Sequence, residues 1–475
     1  MVRALLLTII ALAGIAPLFA SARPEGPPVV GHKTPVRDLP AIRGSKVLRV
    51  LVNQSRNSSG EVQGATIGVE YNRLQAFEQY LNAHARDGQK VRIKFIPKAK
   101  DQLLVALQRG EGDLMAPGEL LDVGEVSTVQ ASTPVLDKVP LLPVGLKGER
   151  AFKRAEQLSG RTVTLANGSA ADQALIQLNQ KLSMRKLAPV RIEWADPSLA
   201  VEDVLEMVQA GIFPLTLVEQ PIAERWARVM PKLRVDRSVP LSSDSGMHWF
   251  VRRDATVLSA TVNRFLENYT PPPDQDAAFQ KAYKGLYRVH DPLARGGDRQ
   301  KLEQLRPVLQ RHADAQGIDW LDLAALAFKE SALNPQARGS GGPTGLLQIT
   351  PAAAQRVGVD NIRDVDGNVQ AASRYLSLIR RKFFASPKVN ERERMAFTLA
   401  AYNLGPERVQ AMRNEARRQG LNPNQWFFQV ERVAMAQVGM GVVSYVNAVN
   451  KYYLAYDRER DSLEKNGQSR VAVRK

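Results

Sequence analysis

Two hydrophobic periodicities divide this chain. Up to about residue 270, short apolar runs suited to extended backbone alternate with stretches of helical spacing. Val47 to Val52 and Val91 to Ile96 read as strands, and between them Leu74, Phe77 and Leu81 place a helix over Tyr71 to Leu81. A helix over Asp101 to Gln108 follows. The alternation returns with a strand at Arg161 to Ala166, a helix through Leu175 and Leu178, a strand at Val190 to Trp194, a helix at Leu199 to Ala210 and an extended run at Pro214 to Val218. Strands alternating with helices predict a parallel sheet, and two such lobes in tandem predict a cleft between them. From about residue 300 the spacing is helical throughout. The expected architecture is a two-lobed α/β domain followed by a mainly α domain.

The helical part carries the most informative position. Leu323, Leu326, Ala327 and Glu330 follow i, i+3, i+4, i+7, so a carboxyl lies on the stripe that faces a core. Apolar surroundings disfavour the carboxylate and raise its pKa, as a proton donor near neutral pH requires. Asp319 is placed to cap this helix and Asp322 lies in its first turn. Asn334-Pro335 then turns the chain, and a loop with Gly339, Gly341, Gly342 and Pro343 leads to Gly345 and Gln348. A second apolar helix, Met395 to Tyr402, ends at Asn403-Leu404-Gly405-Pro406, where Gly405 suits a C-cap and Pro406 prevents continuation. Tyr445 lies in a last helix with Val442 and Val449.

Composition narrows the chemistry. The 475 residues exceed one ordinary domain, and a formal net charge of +17 favours anionic partners. Nucleic acid is the reflex partner, but the N-terminus points elsewhere. Arg3, the apolar run Ala4 to Phe19 and Ala20-Ser21-Ala22 have the form of a cleavable export signal. Outside the cytoplasm a basic surface meets cell-wall carboxylates or anionic lipid. The chain has no cysteine, which excludes disulfides, thiolate metal sites and a cysteine-borne lipid, and its five histidines lack ligand spacing. Neither a metal nor a cofactor is expected.

Two resemblances follow from these residues. Leu48-Arg49-Val50, Gly68-Val69-Glu70-Tyr71, Leu104 to Asp113, Leu158 to Val163 and Val218-Glu219-Gln220-Pro221 make residues 44 to 270 similar to the amino-acid-binding type of extracytoplasmic solute-binding protein. In that family an arginine clamps the ligand's carboxylate, whereas here spacing from Gly118 puts Glu125 there, and Glu219 is the nearest candidate for the ligand-binding aspartate of the second lobe. The module thus has three readings: it binds a muropeptide-like ligand, it binds nothing, or it is a regulatory body. Glu330-Ser331, Asn334-Pro335, Gly342 to Gln348, Ala401-Tyr402-Asn403-Leu404-Gly405 and Tyr445 resemble the ordered motifs of the soluble-lytic-transglycosylase domain, with its goose-lysozyme-like fold. Gly339 departs from a position where serine is common in that family. The pairing of both modules resembles the membrane-bound lytic transglycosylase F family.

That resemblance implies the following. Glu330 protonates the bond between N-acetylmuramic acid and N-acetylglucosamine, then as a base activates the muramoyl 6-hydroxyl, giving a 1,6-anhydro end. Tyr445 holds Glu330, Ser331 and Gln348 contact sugar, and Tyr402 and Asn403 line the cleft. Ordinary glycosidases use two carboxylates; only Glu330 sits in the motif set, and Asp360, Asp364 and Asp366 are the nearest acids downstream. A hydrolytic muramidase and a noncatalytic wall- or solute-binding protein are the rivals. The expected layout is a signal peptide over 1–22, an extended leader over 23–44, a solute-binding-protein-like domain over 45–290, a lytic transglycosylase domain over 291–456 and a charged, frayed tail over 457–475. Glycan strands of peptidoglycan are the expected partner, with muropeptides in the N-terminal cleft, in a periplasmic location peripheral to the outer membrane.

Overall fold

The computed structural model describes residues 35–464 apart from 59, 60, 63, 64, 87, 125 and 243. The export signal, most of the leader, Glu125 and the end of the tail therefore lie outside the described residues. In chain order the strands are β1 (Val47–Asn53), β2 (Glu61–Val62), β3 (Ala65–Thr66), β4 (Arg92–Lys98), β5 (Leu114–Ala116) and β6 (Val129–Ala131). They continue with β7 (Leu141–Leu146), β8 (Thr162–Leu165), β9 (Arg191–Trp194), β10 (Thr216–Glu219), β11 (Leu233–Val235) and β12 (Phe250–Arg252).

The first lobe is built on a sheet of order β4-β1-β5-β12-β6. Alternation along β1 sends Leu48, Val50 and Val52 to a core with Phe77, Trp249 and Phe265, while Leu51 faces Leu103, Leu107 and Phe250 on the other side. The second lobe pairs β10-β7-β11 and β8-β9, joined where Thr164 N donates to Leu215 O (2.9 Å). The sheets depart from the all-parallel expectation. β4, β1 and β5 run parallel, but β12 is antiparallel to β5 and β6, and β7 is antiparallel to β10 and β11. The cause is the chain's double passage between lobes. It leaves the first lobe after β6 and returns before β12, and the two crossings run side by side, with Val135 N to Met247 O at 2.7 Å and Met247 N to Leu136 O at 2.8 Å.

The helical part begins at Gly296–Asp314 and closes with Met440–Arg458, around one large core containing Leu326, Phe397, Trp426 and Val446. Two expectations at the ends fail. Leu39–Ser45 is a helix, not extended leader, because Asp38 caps it and Leu39 and Ile42 are buried in the first lobe's core. Within the tail, Asp457 to Glu464 is largely helical, because Leu463 is 1% exposed in the helical core.

What binds the modules together is a cluster of buried charge. Helix Val201–Gln209 of the second lobe presents Glu202, Asp203 and Glu206, each 3% exposed or less. Arg56 of the first lobe donates to Glu202 through its backbone N (2.8 Å) and reaches Asp203 and, in the helical domain, Glu431 at 3.3 and 3.4 Å. Lys451 of the last helix bonds both Asp203 (2.6 Å) and Glu206. Burial alone would push the Lys451 ammonium down, but Asp203 and Glu206 carry its pKa above the ordinary lysine value. Removing one partner of such a cluster leaves uncompensated buried charge. Lys451→Met should therefore destabilise the protein by about 3–5 kcal/mol, read as a lower denaturant midpoint. An unchanged midpoint would mean that the cluster does not hold the modules together.

Candidate active site

Asp319 accepts from Leu321 N (3.0 Å) and starts the helix Trp320–Ser331, as its sequence position predicts. Leu323, Leu326 and Ala327 are fully buried, and Glu330 emerges half-buried at the end of the same stripe. The helix stops because Ala332 and Leu333 take left-handed backbone (φ 51° and 59°), which turns the chain into the Asn334-Pro335 loop. Tyr445 Oη donates to Glu330 Oε1 at 2.5 Å. Burial raises the Glu330 pKa, while the Tyr445 bond and the Lys329 charge hold it partly down. A raised pKa does not by itself locate the chemistry. Asp322, eight residues earlier, is pushed by burial and by Asp319 to about 7, yet lies about 12 Å away along the helix axis.

Tyr402 lies close enough to Glu330 to feel its charge, and several of the remaining motif residues spend their polar groups on backbone. Ser331 Oγ donates to Leu346 O (2.8 Å) and Ala327 O (3.1 Å). Tyr402 Oη donates to Leu347 O (2.8 Å). Gln348 Nε2 donates to Gly345 O (2.8 Å) and Ala337 O (3.2 Å), with Gln348 itself at φ 47°. These contacts pin the glycine loop against the helix Trp320–Ser331 and fix its shape. Asn403 is exposed at the end of helix Glu391–Leu404, where Gly405 (φ 91°) caps and Pro406 starts the next helix. A Cβ at Gly339 would lie 2.5 Å from Gln348 Oε1, so the glycine that replaces the family's serine leaves room for this amide.

Sequence reasoning missed Asn368. It is 1% exposed, donates to Thr344 O (2.9 Å) and Ile362 O (3.0 Å), and accepts from Leu347 N (2.9 Å). It packs so closely on Gly345 (φ 79°) that a Cβ there would meet its amide at 2.3 Å. The available signal was a lone amide among Val365, Val369 and Ala372 on one helical face. Of the downstream acids, Asp364 caps the helix Val365–Phe383 and Asp366 pairs with Arg311 and His312. Neither is among the groups that shift Glu330.

Glu219 lies at the seam between the lobes and is 3% exposed. It accepts from Leu120 N (3.0 Å) and lies 3.7 Å from Lys100 Nζ, which bonds Glu119 at 2.9 Å. It thus bridges the two lobes. Burial lifts the Glu119 carboxyl to about 7, with Lys100 opposing and Glu219 adding to the rise. Beside this bridge is a cavity of about 540 Å³ lined by Asn53, Asp101, Asn167 and Ala200, and by Gln425 and Gln429 of the helical domain.

Removing the phenolic donor in Tyr445→Phe should raise the Glu330 pKa further. A general acid works while protonated, so the alkaline limb of a pH–rate profile should move to higher pH. The maximum rate should fall roughly ten- to hundred-fold from lost positioning. A profile superimposable on the wild type would detach Tyr445 from the acid.

Residues 307–425 match the model of the Transglycosylase SLT domain, a span that holds Glu330 to Asn403 but ends before Tyr445. Along most of its length the chain is similar to proteins named membrane-bound lytic murein transglycosylase F. That of Desulfosudis oleivorans is 26% identical over 402 residues, covering 83% of this chain and 84% of the relative. One from Pseudomonas putida is 27% identical over 398 residues, covering 82% and 77%. Among solved structures, an ancestral arginine-binding protein bound to arginine aligns with a TM-score of 0.40 at 19% identity, covering 50% of this chain and 97% of that one. The chain is a homologue, through both of its modules, of proteins named membrane-bound lytic murein transglycosylase F, and its helical part carries an SLT domain.

Proposed function

We propose that this protein is a peptidoglycan lytic transglycosylase, cleaving the β-1,4 bond between N-acetylmuramic acid and N-acetylglucosamine without water. The observation that carries this reading is the solitary acid. Of the residues in the ordered motifs, Glu330 is the one carboxyl, half-buried and held by Tyr445 Oη at 2.5 Å. A hydrolase of ordinary design needs a carboxylate on each side of the scissile bond. One carboxyl suffices when the nucleophile belongs to the substrate. Glu330, whose protonated form burial favours, gives its proton to the glycosidic oxygen as the bond to C1 breaks. The resulting carboxylate takes the proton of the muramoyl 6-hydroxyl, whose oxygen closes on C1. The proton count balances and Glu330 is regenerated. Tyr445 fixes the carboxyl throughout, and Ser331, Gln348, Tyr402 and Asn403 frame the sugar.

Glu330→Gln should lower cleavage of purified sacculi by roughly 10²–10⁴-fold. Mass spectrometry of wild-type products should find 1,6-anhydromuramic acid. Reducing muramic ends instead would replace this reading with a muramidase.

The N-terminal module is read as a ligand-responsive body in the periplasm, on an enzyme peripheral to the outer membrane. Among the described residues no helix is long and apolar enough to cross a membrane. Its ligand is a muropeptide rather than a free amino acid, since the acid of the second lobe, Glu219, is already engaged by Leu120 and Lys100. Calorimetry should detect muropeptide binding and none with single amino acids. Tight binding of a free amino acid would reverse that assignment.

A further inference from the structure

Helix Ala171–Met184 of the second lobe ends at a pole remote from the seam with the first. The chain turns there, with Leu187 N donating to Leu182 O (3.0 Å), and enters β9. The short helical turn Ala155–Leu158 lies alongside, tied on by Ser159 Oγ to Ala188 O (2.8 Å) and by an ion pair between Arg185 and Glu156. Both β8 and β9 start at this pole and run away from it. The residues that follow them, Ala166 and Pro197, line the cavity at the seam of the lobes.

Two features set the pole apart. The first is charge. Between Lys147 and Arg191 nine Lys and Arg stand against three Asp and Glu, which puts about a third of the formal net charge of +17 into a tenth of the chain. Of the three acids, Asp172 is buried and Glu156 is paired with Arg185. Lys153, Arg154, Arg161, Lys181 and Lys186 are all exposed. The second feature is apolar surface among these cations. Met184 is 78% exposed and Leu187 41%, with Ile176, also exposed, two turns back along the helix. They are three of the six large hydrophobic side chains exposed among the described residues. Scattered singly such residues need no explanation, but a cluster marks a surface that meets something apolar.

A cavity of about 390 Å³ opens on the pole. Buried Leu178 and Leu182 form its floor, and exposed Lys181, Met184 and Arg185 its rim. Cations above an apolar floor match an amphiphile with a negative head. Carboxylates of a wall polymer would use the cations and leave Met184 and Leu187 in water. The chain has no cysteine to carry a lipid, and among the described residues no helix is long and apolar enough to cross a membrane. Attachment through the described part therefore has to come from a surface.

We infer that this pole docks the protein on an anionic phospholipid bilayer, with its cations at the headgroups and Met184 and Leu187 in the boundary beneath them. The inference rests on the reading of the protein as peripheral to a membrane and names the surface responsible.

The test is flotation with vesicles of phosphatidylethanolamine containing about a quarter phosphatidylglycerol, against vesicles of neutral phosphatidylcholine. The chain is used from Arg23 onward, because the apolar run Ala4 to Phe19 would itself enter lipid and every described element begins after it. Binding should need the anionic lipid and weaken with salt. Lys153→Glu with Lys181→Glu should lower it roughly ten-fold or more, at about five-fold for each cation lost. Met184→Ser should lower it several-fold with the salt dependence kept. The control is Arg86→Glu with Arg264→Glu, the same change in charge at exposed positions of the first lobe, and it should bind nearly as the wild type does. Thermal midpoints should be the same in all four proteins. Equal losses in the control and the Lys153/Lys181 variant overturn the proposal, since the attraction would then belong to the charge of the whole molecule. Unchanged binding by Met184→Ser also overturns it, as does equal binding to neutral vesicles. A wild type that ignores anionic vesicles defeats the peripheral reading along with the proposal, whereas wild-type binding that survives in the Lys153/Lys181 variant defeats the surface alone.

Discussion

The arrangement of the whole molecule depends on charge buried where three parts of the chain meet. Arg56 comes from the first lobe, Glu202, Asp203 and Glu206 from the second, and Glu431 and Lys451 from the helical domain. Each of these groups would be expensive to bury alone, and each is tolerable only with the others in place. The cluster therefore favours one relative placement of the modules over others that would strip a charge of its partners. Hydrophobic contact at this junction would have been less particular about register.

The same cluster connects to the chemistry through one helix. Lys451 and Tyr445 both belong to Met440–Arg458, fewer than two turns apart, and Tyr445 holds Glu330. A displacement of helix Val201–Gln209 would act on Lys451, and through the helix on the hydrogen bond that orients the acid. Coupling of this kind needs a second arrangement of the cluster, which the lobes could supply by moving about the paired crossings at Val135 and Met247. The Lys100–Glu119–Glu219 bridge holds the two lobes together as well.

Much of the motif set is spent on the protein's own backbone. Ser331, Gln348 and Tyr402 each bond main-chain carbonyls of the segment Ala327 to Leu347. Together with Asn368 they give the glycine loop a defined shape, and Gly345 must be glycine because Asn368 occupies the place of its side chain. Support of this sort would keep a carboxyl at Glu330 within the narrow geometry that proton transfer demands.

Local pattern determined much of this protein. The strands at Val47, Arg92 and Thr162, the Asp319 cap, the Gly405 stop and the apolar stripe ending at Glu330 all follow from periodicity and capping, which act between near neighbours. Ordered motifs then marked the acid's companions. Tertiary structure alone decided the rest, because it depends on residues far apart in the chain. The run Val201-Glu202-Asp203-Val204-Leu205-Glu206 reads as a solvated acidic face, yet its three acids are buried because Arg56 and Lys451 arrive from 145 or more positions away. Asn368 is spaced as a helical polar residue, yet it anchors the glycine loop. Reversed strands in both lobes, the docked tail at Leu463 and the spending of Glu219 on the lobe bridge have the same origin. Each is set by which distant partner a side chain or strand meets, and spacing along the chain carries no record of that.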